Sequence, residues 1–162
     1  MKKFLKISAI ITLAVLLLCG CGAQKPEKAI VGSWFTQANG VGMTVSFSEN
    51  NIMTVTCNII DKAAADAAGV NPEIVKAKNI TCYYSVEADP DLSLLTESEQ
   101  ELLAGKMALS SYLNEEDMKN ALTGEILYFT IDGNTLTTTQ RSGAFNPQTN
   151  VPEYSETVFT KQ

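Results

Sequence analysis

The chain has no histidine, a single Arg, one Trp, and charged side chains at only 19 % of its 162 positions. Without histidine there is no Ser-His or Cys-His catalytic pair, and the commonest zinc ligand is missing. Arg141 is the lone guanidinium, and 12 basic residues face 18 acidic ones, so no dense basic surface exists to neutralise a run of phosphates. Nucleic acid is therefore not an expected partner, and no cofactor or metal is expected either. A length of 162 residues accommodates one ordinary domain.

What is present begins with an address. Lys2, Lys3 and Lys6 form a basic head, Ile7 to Leu18 follow as a twelve-residue apolar run, and small residues come next. That is the order of a secretory signal peptide. As a helix the run covers roughly 18 Å, against the ~30 Å of a bilayer's hydrocarbon core. It is expected to be cut off rather than to remain as a span. Leu18-Cys19-Gly20-Cys21 resembles the lipobox of bacterial lipoproteins, with a Leu three places before the modified Cys and a small residue just before it.

The resemblance implies cleavage after Gly20, loss of Cys19 with residues 1–20, and a diacylglyceryl thioether on Cys21. Two acyl chains hold a protein on a membrane, here the extracytoplasmic face. The alternative is a plain secreted protein cut near Ala23. Removing residues 1–20 takes away three Lys and no acid, so the net charge moves from −6 to −9. Residues 21–28 contain Pro26 and no apolar periodicity, and read as a tether reaching about 25 Å when extended.

Residues 29–162 read as one mainly β domain. Val41, Met43, Val45 and Phe47 fall on every second position, as do Met53, Val55, Cys57 and Ile59, and Ser48 to Asn51 between them has a turn composition. Ile80, Cys82, Tyr84 and Val86 alternate in the same way, and so do Leu127, Phe129 and Ile131. Asp132-Gly133 turns the chain into a Thr-rich strand over Asn134–Thr139. Glu153–Lys161 supplies a last strand and Ile30–Thr36 a first. The count is about seven, suited to a small barrel or a sandwich.

Two helical insertions are expected, near 61–77 and 92–123. Asp61–Ala68 is Ala-rich and stops at Gly69, and Asn71-Pro72 opens a further short turn. Thr96 and Glu99 have capping-box spacing, and Leu102, Leu109 and Leu113, with Leu103 and Met107 beside them, align on one helical face. Asn114 caps a second helix ending near Gly124. This larger insertion either plugs one end of the barrel or acts as a movable lid. Glu97, Glu99 and Glu101, like Glu115, Glu116 and Asp117, read as solvated helix starts whose charge offsets the helix dipole.

Gly32-Ser33-Trp34 at the head of the first strand, followed by a meander and a final strand ending in a basic residue, is similar to the lipocalin and wider calycin pattern. The resemblance implies an antiparallel meander barrel of about seven or eight strands. It implies that Trp34 closes the barrel floor beneath Lys161, or beneath Arg141, with Gly32 beside it. The expected interior positions are Val45, Phe47, Val55, Tyr84 and Phe129.

After lipidation, Cys57 and Cys82 remain on the apolar faces of neighbouring strands, and an extracytoplasmic location permits a disulfide. Closing the 26-residue loop between them is worth about 3.5 kcal/mol on the chain-entropy model. Two buried free thiols are the alternative. The functional expectation is a monomeric, non-catalytic envelope protein that binds a small apolar or amphiphilic molecule. The alternative is a protein-interaction module with a filled core. A cavity of roughly 300 Å³ or more favours the first.

Overall fold

Each alternating segment pairs with the next one along the chain. The computed structural model describes residues 25–121, 125–146 and 152–162. Eight strands run in order as β1 (Gly32–Ala38), β2 (Val41–Phe47), β3 (Ile52–Ile59), β4 (Ile80–Glu87), β5 (Met107–Tyr112), β6 (Glu125–Asp132), β7 (Thr135–Phe145) and β8 (Pro152–Lys161). All pair antiparallel with their neighbours, and β8 returns to β1, so the sheet is a closed barrel. Closure leaves no free sheet edge.

Among the described residues there are five short helices: α1 (Pro26–Ala29) ahead of β1, and α2 (Lys62–Ala67), α3 (Pro72–Ala77), α4 (Glu97–Leu103) and α5 (Glu115–Lys119) between strands. Pro26–Ala29 lies against β4, so the last residues of the expected tether belong to the folded body. The residues of the signal peptide, Cys19, Cys21 and Ala23 lie outside those described, as does Gly124.

The turns follow from the residues that make them. Asn39 and Gly40 join β1 to β2 with φ of 51° and 75°, the left-handed pair that a type I′ hairpin requires. Gly133 turns β6 into β7 at φ 56°, with Asp132 paired to Thr135, so the two loop residues are Gly133 and Asn134. The chain enters at one end of the barrel, called here the base, which also holds the Ser48–Asn51 and Gly133–Asn134 turns. The Asn39–Gly40 turn, α2 and α3 lie at the opposite end, the mouth.

The base is filled. Trp34 is fully buried, its Nε1 donates to the Ile30 carbonyl at 2.7 Å, and Phe47, Met53, Tyr84, Leu109 and Phe129 belong to the same core cluster. Truncating a buried indole to Ala costs about 3–5 kcal/mol, which ranks Trp34 among the largest single contributors. Lys161 stands opposite Trp34 in the β1–β8 register, with Nζ 5.1 Å from the ring centroid, inside cation–π range. Gly32 makes room for it: at φ 128°, an added Cβ would sit 3.2 Å from Lys161 Cε.

Two expectations about the larger insertion are corrected. Met107–Tyr112 is a strand, not the second half of a helix, because Gly105 at φ 73° ends α4 and the chain resumes alternation with Leu109 inward. β5 is needed there, since without it β4 and β6 would both present unpaired backbone. The insertion is neither plug nor lid: α4 is tied to the outer wall at β7 and β8, and α5 packs beside β4 and β5. Asn114 does cap α5, accepting from Asp117 N at 2.8 Å.

Glu99 is a further correction. Its side chain is 3 % exposed rather than solvated. One carboxylate oxygen accepts from Arg141 Nη2 and, at 2.7 Å, from the Tyr154 hydroxyl. The other accepts from Thr96 N and Oγ1, completing the capping box. The Arg141 and Tyr154 bonds hold its carboxyl down at about 2. Arg141 is therefore engaged here and not over Trp34.

A carboxyl held at about 2 instead of 4.5 corresponds to about 3 kcal/mol of linked stability at full value. Arg141 is 52 % exposed, and solvent screening reduces this to about 1–2 kcal/mol. Because the folded value is depressed, the contribution is complete above the ordinary Glu range and is lost as pH falls through it toward 2. Glu156, lowered chiefly by its hydrogen bond from Lys106, acts with the same sign. Unfolding midpoints measured across that acid window are expected to fall in the native protein and to fall less in Glu99→Gln. An identical acid slope in the variant contradicts the role given to Glu99.

Candidate functional site

The mouth is shaped by small side chains. Thr36 and Ala38 end β1, Val41 and Met43 begin β2, and Cys57 and Thr157 complete the inward-facing ring. None has the bulk of Trp34 or Phe129, so the barrel whose core cluster packs around Trp34 toward its base is left hollow at the other end. Over this ring lies α3, contributing Ile74 and Val75, with Val70 before it and Lys78 after it. The half-open space is about 430 Å³, within the range of small-molecule pockets.

Local chemistry fixes the roof in place. Asp61 Oδ1 accepts from Ala64 N at 3.0 Å and starts α2, and the Gly40 carbonyl accepts from both Ile60 N and Asp61 N. Asn71 Oδ1 accepts from Glu73 N at 2.9 Å and starts α3, with Pro72 at its first position. Beyond Val55–Ile80 the β3–β4 ladder stops. The Cys57 N–H there is taken by Asn79 Oδ1 instead, which pins the far end of α3 to the barrel wall.

The lining separates by depth. Cys57 and Val75 are buried and Val41, Met43 and Val70 are half-buried, giving an apolar interior. Asn39, Asn71, Ile74 and Lys78 are exposed and form the rim. Lys78 is the one charged side chain among the residues that line the space. A second hollow at the base, about 350 Å³, has Val31, Tyr84 and Val86 on its apolar side and Glu27, Lys28 and Glu49 around it, a mixed-charge setting.

Of the residues singled out from sequence, the structure brings Gly32, Trp34 and Lys161 together at the base. Phe47, Tyr84 and Phe129 are buried in the core, and Val45 and Val55 pack against it. Phe47 and Tyr84 meet edge to face at 5.1 Å, and the Tyr84 hydroxyl donates to the Ser48 carbonyl at 2.8 Å. These five fill the barrel; none lines the cavity at the mouth.

The expected disulfide is corrected: Cys57 and Cys82 are buried free thiols. Cys82 stands opposite Met53, four residues along β3 from Cys57. That offset is about 13 Å of strand, about twice the Cα separation a disulfide spans. Burial pushes the Cys82 thiol up.

The cavity residues Val41, Met43 and Cys57 lie on alternating faces that sequence reveals. The helix-borne Val75 and Lys78 carry no such signal. Among the described residues, no group of three Cys, Asp or Glu is placed to hold a metal, and no helix is long and apolar enough to cross a membrane. Comparison with protein-family models, with curated proteins and with solved structures finds no significant match to this chain.

The roof's seam makes one glycine decisive. A Cβ on Gly40, at φ 75°, would fall 2.3 Å from the Asp61 carbonyl oxygen and 2.5 Å from Ala65 N, both backbone atoms. A Cβ on Gly69, at φ 68°, would meet nothing within 4 Å. Gly69→Ala is expected to cost about 1 kcal/mol for the left-handed backbone alone, and Gly40→Ala at least about 2 kcal/mol. Urea midpoints of the two variants check this. Equal losses would show that the turn does not seat against α2 as described.

Proposed function

We propose that the protein is a lipid-anchored extracytoplasmic lipoprotein, non-catalytic, whose barrel holds a small apolar or amphiphilic molecule in the cavity beneath α3. The observation that carries the reading is the preformed space of about 430 Å³ with an apolar interior and a polar rim at one end of a barrel filled at the other. Such asymmetry suits a binding module: the filled base supplies stability, and the mouth is released from packing duty. The resemblance of Gly32-x-Trp34 to the calycin pattern and of Leu18–Cys21 to a lipobox supports the same reading.

Anchoring at Cys21 would attach the lipid on the chain that enters at the base. The mouth would then face away from the attachment point, toward the aqueous side. The acidic balance, net −9 after loss of residues 1–20, disfavours lying flat on anionic lipid.

The competing reading is an envelope interaction module, favoured by the solidly packed base, in which the mouth cavity is incidental. Native mass spectrometry of the protein released from its membrane separates the two. Co-release of a small molecule that activation strips off, together with an added mass of a diacylglyceryl group on Cys21, is the expected result. Bare protein, with no uptake of apolar probes, contradicts the binding reading.

A further inference from the structure

We infer that the cavity beneath α3 selects an amphiphile with a single anionic headgroup, held at the rim by Lys78, over a neutral amphiphile of the same length. This rests on the binding function proposed above and names the class of ligand.

The chain carries more acids than bases, yet no carboxylate is among the residues lining this cavity, and its one charged lining side chain is a cation. The other lysines with a visible function are occupied: Lys62 by Asp66, Lys106 by Glu156, Lys119 by Glu115, and Lys161 by the Trp34 ring. Lys78 is exposed and engages none of the carboxylates in these ion pairs.

The position of Lys78 suits the same role. Lys78 is the C-cap of α3, and its neighbour Asn79 is bonded to Cys57 N, so the backbone bearing the ammonium is fixed beside the wall. Val75 lies one helical turn before Lys78 on the same face of α3 and is buried toward the cavity. An extended molecule lying along this line places its tail on Val41, Met43 and Val75 and its head at the ammonium. Asn39 and Asn71 supply amide donors on the same rim. A headgroup with two negative charges would meet one cation only, so a carboxylate or a sulfonate fits better than a dianion.

The test uses the full-length lipidated protein in nanodiscs of zwitterionic lipid, titrated with octanoate or 1-octanol by calorimetry, with empty nanodiscs subtracted. The native protein is expected to bind octanoate about fivefold more tightly than 1-octanol, the size of a part-exposed charge-assisted pair. Lys78→Gln is expected to erase the preference. Lys76→Gln, which removes a charge from the same helix away from the cavity, is expected to keep it. Equal binding of the two probes by the native protein, or a preference that survives Lys78→Gln, overturns the headgroup assignment and leaves the apolar cavity standing. Failure of both probes to bind overturns the binding function itself.

Discussion

Everything in this barrel depends on β8 reaching β1. The first and last strands are the most distant in sequence, and if they did not pair, each would be an exposed edge. The seam is short: only Trp34–Lys161 and Phe35–Thr160 pair. It is reinforced by side chains in place of a long ladder. Trp34 presents a ring face to the Lys161 ammonium, Gly32 vacates the volume that the lysine stem needs, and the Gln162 N–H donates to the Ser33 carbonyl at 2.9 Å. Three residues at the head of the first strand thus meet two at the very end of the chain, a contact of high sequence separation whose closure carries a large loop entropy.

Closing the seam with the largest side chain in the protein sets the asymmetry of the interior. Trp34, Phe47, Tyr84 and Phe129 fill the base, so the mouth can be lined with Thr36, Ala38, Val41 and Cys57 without loss of the core. A hollow end would be floppy without a roof. The α2–α3 segment supplies one, held by a polar pin at each end: the Gly40 carbonyl accepts from Ile60 N and Asp61 N ahead of α2, and Asn79 Oδ1 accepts from Cys57 N after α3. A cavity whose roof is already ordered spares a ligand the entropy of ordering it. That is why the mouth, not the base, is the proposed site.

Much of this fold is legible from alternation alone. β2, β3 and β4 read directly because one face of each is apolar and the other is mostly Thr, Ser or Asn, and β6 reads from the alternation of Leu127, Phe129 and Ile131. The Asn39-Gly40 dipeptide is a strong hairpin signal in its own right. β5 is hidden because Leu102, Leu109 and Leu113 share a spacing compatible with a helix; only Gly105 between them marks the break. Glu99 is half legible: its capping box is local, but its burial against Arg141 and Tyr154 comes from residues more than forty positions away. Cys57 and Cys82 share a face, and sequence cannot supply the register that sets them apart. Lys78 follows no pattern, since its meaning comes from the wall that α3 happens to cover.

Carrier and scaffold readings differ on one physical point, whether the barrel is empty beneath α3 while full around Trp34. Xenon enters dry apolar cavities and shifts the methyl signals that line them. Met43 lines the mouth cavity and Met53 lies in the packed base, so the two methyls report on the two ends of the same barrel. Under xenon pressure, methyl NMR is predicted to show a saturable shift of the Met43 signal with the Met53 signal unmoved. An unresponsive Met43, or equal shifts at both, would contradict the account.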